Sequence, residues 1–137
     1  MRYIIIITLV LLSVFVGGCR RSLSQNELTS DVNMKLTVEP TAPVVGSAIL
    51  HITLTDTNDE PINDASLDIR GDMAHAGMEP VLASIDASQS GVYEVPFEWT
   101  MGGDWIVTVT ATLADGRVAI REFDLTVSGG MDMGSGS

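Results

Sequence analysis

From Met34 to Val127 the chain alternates apolar and polar side chains with a period of two, and turn-forming residues break the alternation about every ten residues. That pattern constrains the fold more than any other feature, because a strand with one apolar face must pack it against a second layer. No stretch sustains a helical period. The alternation predicts strands over Met34 to Val38, Ser47 to Thr55, Ala65 to Arg70, Val81 to Ile85, Val92 to Thr100, Trp105 to Leu113 and Val118 to Val127.

The fold expected is therefore all-β, an immunoglobulin-like antiparallel β-sandwich of about seven strands. Parity assigns the faces. Ala48, Leu50, Ile52 and Leu54 point one way, and Ile49, His51, Thr53 and Thr55 point the other, which makes His51 a surface residue. Tyr93, Val95, Phe97, Trp99 and Met101 share a parity, as do Trp105, Val107, Val109, Ala111 and Leu113, so these two strands supply much of the core. Gly102-Gly103 reads as the tight turn between them, and Asp115-Gly116 as a hairpin turn. In the last strand the parity slips between Ile120 and Phe123, and Arg121-Glu122 is the expected place for a β-bulge.

Ahead of the strands the chain opens with a short basic start and an apolar run from Tyr3 to Val16. The run is shorter than the roughly 20 residues a membrane-crossing helix needs, and small residues follow it where a signal peptidase cuts. Cys19, the only cysteine, stands directly behind Gly17-Gly18. An internal disulfide is excluded, and the placement resembles the lipobox of bacterial lipoproteins, which implies cleavage before Cys19 and acylation of that residue. Several acyl chains hold a protein firmly on a membrane, at about 0.8 kcal/mol per buried methylene.

The expected organisation is a signal peptide over residues 1–18, the lipidated Cys19 and a polar tether over 19–31, a sandwich domain over 32–127, and a Gly/Ser/Met tail over 128–137 that holds Met131 and Met133. The location expected is extracytoplasmic, on an outer membrane facing the periplasm or on the outer face of the plasma membrane in a single-membrane cell. The chain carries 7 basic and 18 acidic residues, a formal net charge of -11, and has no basic stripe. Nucleic acid is not an expected partner.

One segment departs from the sandwich pattern. Gly71 to Pro80 (GDMAHAGMEP) concentrates Met73, His75 and Met78 between glycines. In an extended chain residues two apart share a side, so Met73 and His75 can converge, and a turn at Ala76-Gly77 can return Met78 to them. Thioether sulfur with imidazole suits Cu(I), whereas zinc and calcium prefer thiolate, imidazole and hard oxygen sets. Met73 equally continues the parity of Ala65, Leu67 and Ile69 and fits as the last core residue of its strand. Met101 faces the same choice, with the core favoured by its parity. Met131 and Met133 form a Met-x-Met element in the tail, either an auxiliary Cu(I) ligand pair or sequence without a task.

Pro43-Val44-Val45-Gly46, the polar hairpin Asp56 to Pro61, Asp64-Ala65, the Met73, His75 and Met78 cluster, Gly91-Val92-Tyr93 and Met101-Gly102-Gly103-Asp104-Trp105 occur in that order. Together they resemble a YtkA-like domain, a relative of the FixH-like domains of bacterial envelope proteins, over about Leu36 to Val127. The resemblance implies an anchored extracytoplasmic sandwich associated with copper handling or oxidase assembly and without enzymatic activity. It also implies that Met73, His75, Met78 and Met101 stand at recurring Met and His positions. Gly102-Gly103-Asp104 departs from the common pattern of one glycine and a shorter link to tryptophan.

Two functions remain open on these residues. One is a lipid-anchored accessory protein that captures Cu(I) and passes it to a copper-handling or oxidase-assembly partner. The other is a structural or interaction module of the envelope in which the methionines are packing. An enzyme is not expected, since no nucleophile elbow, phosphate loop or paired catalytic carboxylates stand in the sequence.

Overall fold

A computed structural model of the chain describes residues 28–129. The expected signal peptide, Cys19, Met131 and Met133 lie outside the described residues. Seven strands form the domain: β1 (Asn33–Glu39), β2 (Gly46–Thr55), β3 (Ser66–Met73), β4 (Val81–Ile85), β5 (Val92–Trp99), β6 (Gly103–Thr112) and β7 (Val118–Val127). They make two antiparallel sheets, one ordered β1-β2-β5 and the other β4-β3-β6-β7. The fourth strand pairs with the third, and so departs from the constant-type immunoglobulin arrangement, in which it joins the sheet of the first, second and fifth.

The faces follow from parity. Leu50, Ile52 and Leu54 of β2 meet Leu67 and Ile69 of β3 and Val107 and Val109 of β6 in one core, each at most 2 % exposed. Burying such a side chain contributes about 1.5–3 kcal/mol, which is why the period-two register is held so strongly. Aromatic rings close the core toward one end. Phe97 and Trp99 pack edge to face at 4.9 Å, and Trp99 and Trp105 at 5.3 Å. Gly71 sits on the inward parity of β3 because the Phe97 ring occupies the space beside it; a Cβ there would lie 2.7 Å from Phe97 Cζ.

Three expectations need correction. The β6–β7 ladder runs unbroken from Gly103↔Val127 to Thr112↔Val118, so there is no bulge at Arg121-Glu122. Arg121 occupies an inward-parity position yet is exposed, because it lies on an edge strand where the sandwich is open. Met101 is not a core residue. Strand β5 ends at Trp99, the chain turns, and Met101 is 45 % exposed. The domain also extends beyond 32–127: the Thr29 N–H donates to the Val118 carbonyl at 2.8 Å, and Ser128 exchanges backbone hydrogen bonds with Pro43 and Val45 at 2.9 and 3.1 Å.

The two lateral sides of the sandwich differ. Strands β4 and β5 approach each other on one side. On the other, the segments before and after β1 bond to the two ends of β7, Thr29 to Val118 and Val45 to Ser128, and a cleft of about 830 Å³ opens onto half-buried Leu36, Val38 and Leu125.

Antiparallel pairing also fixes the two ends. Residues 28–32 and the connections 56–65, 86–91 and 113–117 lie at one end. The connections 40–45, 74–80 and 100–102, with Ser128 and Gly129, lie at the other. Strand β2 spans the distance with 10 residues, about 33 Å of extended chain.

Candidate metal centre

The second of those ends carries every soft ligand that the described residues contribute to the expected set. Met73 closes β3 and pairs across the sheet with Trp105 of β6. One further backbone bond, from the Ala74 N–H to the Asp104 carbonyl at 2.9 Å, continues the ladder past Met73. The Met73 side chain is half-buried, and its methyl lies 3.1 Å from the point where a Cβ on Gly103 would stand. A side chain at Gly103 would press on it. Gly103 also has a φ of 133°, which explains the second glycine of the Gly102-Gly103 turn.

Met101 is tied to the same spot from the other sheet. The Trp105 indole Nε1–H donates to the Met101 carbonyl at 3.0 Å, so a buried core ring fixes the backbone of this exposed residue. Met73 and Met101 thus flank one turn, joined through Trp105 and Gly103.

His75 and Met78 lie in the β3–β4 connection. The chain bends at Ala74-His75 and turns at Ala76-Gly77, where Gly77 has a φ of 91°, as the turn expected there requires. The strand ends at Met73, so Met73 and His75 do not share the face of one extended strand. His75 is exposed, and its imidazole makes no hydrogen bond among the described residues. Met78 is 41 % exposed. Met73 and Met101 lie at the same end of the sandwich, Met73 beside Gly103 and Met101 two residues before it, and His75 and Met78 lie in the β3–β4 connection at that end.

The other histidine is engaged. His51 lies on the outer face of β2, its Nε2 3.2 Å from Glu39 and its Nδ1 3.7 Å from Glu94, with one carboxylate on each side of the ring. Cross-strand pairing of His51 with Glu94 was the signal for this contact in the sequence, and strand parity alone did not reveal it.

Charges near the site are mostly spoken for. Arg70 holds Asp72 through two bonds of 2.7 and 2.9 Å, and this partner raises the guanidinium further above its usual range. Asp104 accepts a hydrogen bond from the Thr126 hydroxyl at 2.9 Å. Among the described residues no three His, Cys, Asp or Glu side chains gather as a metal site. The soft donors at this end are three thioethers and one imidazole, ligand types suited to a soft cation, with the carboxylates of Asp72, Glu79 and Asp104 at the same end.

A two-sheet sandwich with a methionine-rich end defines the class of protein. The chain belongs to the YtkA-like family, whose family model matches residues 26–110 and so takes in β1 to most of β6 with Met73, His75, Met78 and Met101. Among solved structures it is similar to the soluble domain of PmoD from Methylocystis sp. ATCC 49242 (Rockwell), at 18% sequence identity and a TM-score of 0.46, covering 69% of this chain and 90% of that one. The comparison with curated proteins gave no match.

Proposed function

We propose that this protein is a membrane-anchored extracytoplasmic accessory protein that binds Cu(I) as cargo through Met73, His75, Met78 and Met101 and passes it on by ligand exchange. The observation that carries this reading is the exposure of Met78 and Met101 at the same end as half-buried Met73. Exposure leaves both thioethers open to a soft cation arriving from solvent, which a methionine sealed in the core is not. Thioethers bind Cu(I) without losing a proton, so only the share of affinity due to His75 falls in acid. The lipid anchor implied by Cys19 would hold the opposite end toward the membrane, since the described chain enters at Leu28, beside Val118.

An anaerobic Cu(I) competition titration tests it, comparing the wild-type chain with a Met73→Leu, His75→Ala, Met78→Leu, Met101→Leu variant. Leucine keeps the volume at the half-buried position, so the fold is retained. One Cu(I) per chain, lost in the variant, is the expected result; binding no tighter than the variant's would sink the reading.

A second reading, an interaction module without metal, draws on the open β1/β7 side, where two free strand edges and half-buried Leu36, Val38 and Leu125 face solvent. Under it, the four substitutions leave partner capture intact.

A further inference from the structure

Met101 stands on a turn with little backbone bonding of its own. Among the described residues, no backbone-to-backbone hydrogen bond involves residues 100–102. Gly102 leans on the chain as it leaves β7, where a Cβ on it would stand 2.7 Å from both Gly129 N and Gly129 Cα. That contact presses on the turn but fixes no polar group. What holds the Met101 backbone is the hydrogen bond of 3.0 Å that the Trp105 indole Nε1–H donates to its carbonyl.

The donor is itself held fast. Trp105 is 1 % exposed, and its ring packs edge to face against Trp99 at 5.3 Å. Its Cε3 lies 3.4 Å from the point where a Cβ on Gly71 would stand, so a glycine on β3 leaves room for the ring. The same residue is the ladder partner of Met73, and the carbonyl of its neighbour Asp104 accepts from the Ala74 N–H at 2.9 Å. Trp105 thus fixes two methionine-bearing segments from one place, Met73 through the β3–β6 ladder and Met101 through the indole.

We infer that Trp105 is a positioning residue for Cu(I): its indole N–H holds the Met101 turn in the conformation that takes the ion. The inference rests on the copper reading and deepens it, because it names the core residue that sets the affinity of that site. A turn already ordered spares binding the entropy cost of ordering it. Trp99 supplies the contrast. It is the chain's other tryptophan, equally buried in the same aromatic cluster, and its N–H has no hydrogen-bond partner among the described residues. Of the two indole N–H groups, the one on Trp105 reaches the methionine-bearing turn.

The test is an anaerobic Cu(I) competition titration on the full chain in detergent, comparing wild type with Trp105→benzothienylalanine and Trp99→benzothienylalanine. Sulfur replaces the indole N–H in each and the ring size is kept, so the core is retained. The expected result is one Cu(I) per chain in wild type, binding weakened at least about threefold by the change at Trp105, and no loss from the change at Trp99. In a Met101→Leu background the change at Trp105 has little further effect, because it acts through Met101. A smaller loss at Trp105, with wild type still binding one Cu(I), overturns the inference and leaves the copper reading standing. Equal losses at the two tryptophans also overturn it, since a loosened core and not a lost bond would be the cause, and so do equal losses with and without Met101. No binding by wild type removes both.

Discussion

Tyr93 explains why a glycine and a tyrosine stand two residues apart in this sequence. Gly91 has a φ of 76°, and a Cβ there would lie 2.8 Å from both the Leu54 carbonyl oxygen and Pro61 Cβ. Its N–H donates to Asn63 Oδ1 at 2.6 Å, and its carbonyl accepts from the Leu54 N–H. The fully buried Tyr93 then donates its hydroxyl proton to the Ile62 carbonyl at 2.9 Å and accepts from the Ala65 N–H at 3.1 Å. One side chain thus ties β5 to the β2–β3 connection and satisfies two backbone groups. Tyr93→Phe keeps the ring and strands both groups, so chemical denaturation should show a loss of about 1–3 kcal/mol. A change near zero would mean that water replaces the hydroxyl. Trp99 presents the contrary case: its indole N–H is buried without a hydrogen-bond partner among the described residues, a cost the aromatic packing with Phe97 and Trp105 offsets.

The β6–β7 hairpin shows how a turn is held by its own charges. Leu113 and Arg117 close it with a backbone bond of 2.8 Å, and Gly116 supplies a φ of 88°. Asp115 accepts from the Arg117 backbone N–H at 3.0 Å and from Arg117 Nε at 2.7 Å. Those bonds, the backbone one first, hold the Asp115 carboxyl below the ordinary carboxylate range. A depressed carboxyl contributes stability that is complete above its unfolded value and is lost as pH falls through the folded one. Asp115→Asn should therefore be less stable than wild type at neutral pH, and the gap should close in acid; thermal melts across that range would show it, and a gap that is constant with pH would rule it out. Asp115-Gly116 was legible in the sequence because turn chemistry is local. The straight course of β7 was not. Arg121 interrupts the apolar alternation and mimics a bulge, and only the open edge beside it explains why a cation is tolerated at that parity. Met101 misled in the opposite way: parity carries a residue inward only while the strand lasts, and β5 stops at Trp99.

Across the molecule, protection should follow strand order. Strands β2, β3 and β6 are paired on both sides, whereas β1, β4, β5 and β7 are edges. Amide hydrogen exchange should be slowest in β2, β3 and β6 and faster in β4 and β1. Protection of β1 and β7 equal to that of the central strands would show their side covered by another chain. The sandwich and its faces were readable because burial imposes a period of two on every strand. The concentration of Met73, His75 and Met78 was readable as composition. The placing of Met73 and Met101 at one end was not, because it depends on β3 pairing with β6, a contact between residues far apart in sequence.

The contact between Gly129 and Gly102 also bears on how the protein is handled at the bench. Anything joined directly after Gly129 would become a neighbour of the exposed Met101, so an oligohistidine tag joined there would place foreign imidazoles beside it and bind metal on its own account. A tag or fluorophore introduced just ahead of Leu28 stands at the other end of the sandwich, about 33 Å away, where it can report on the domain without lending it ligands.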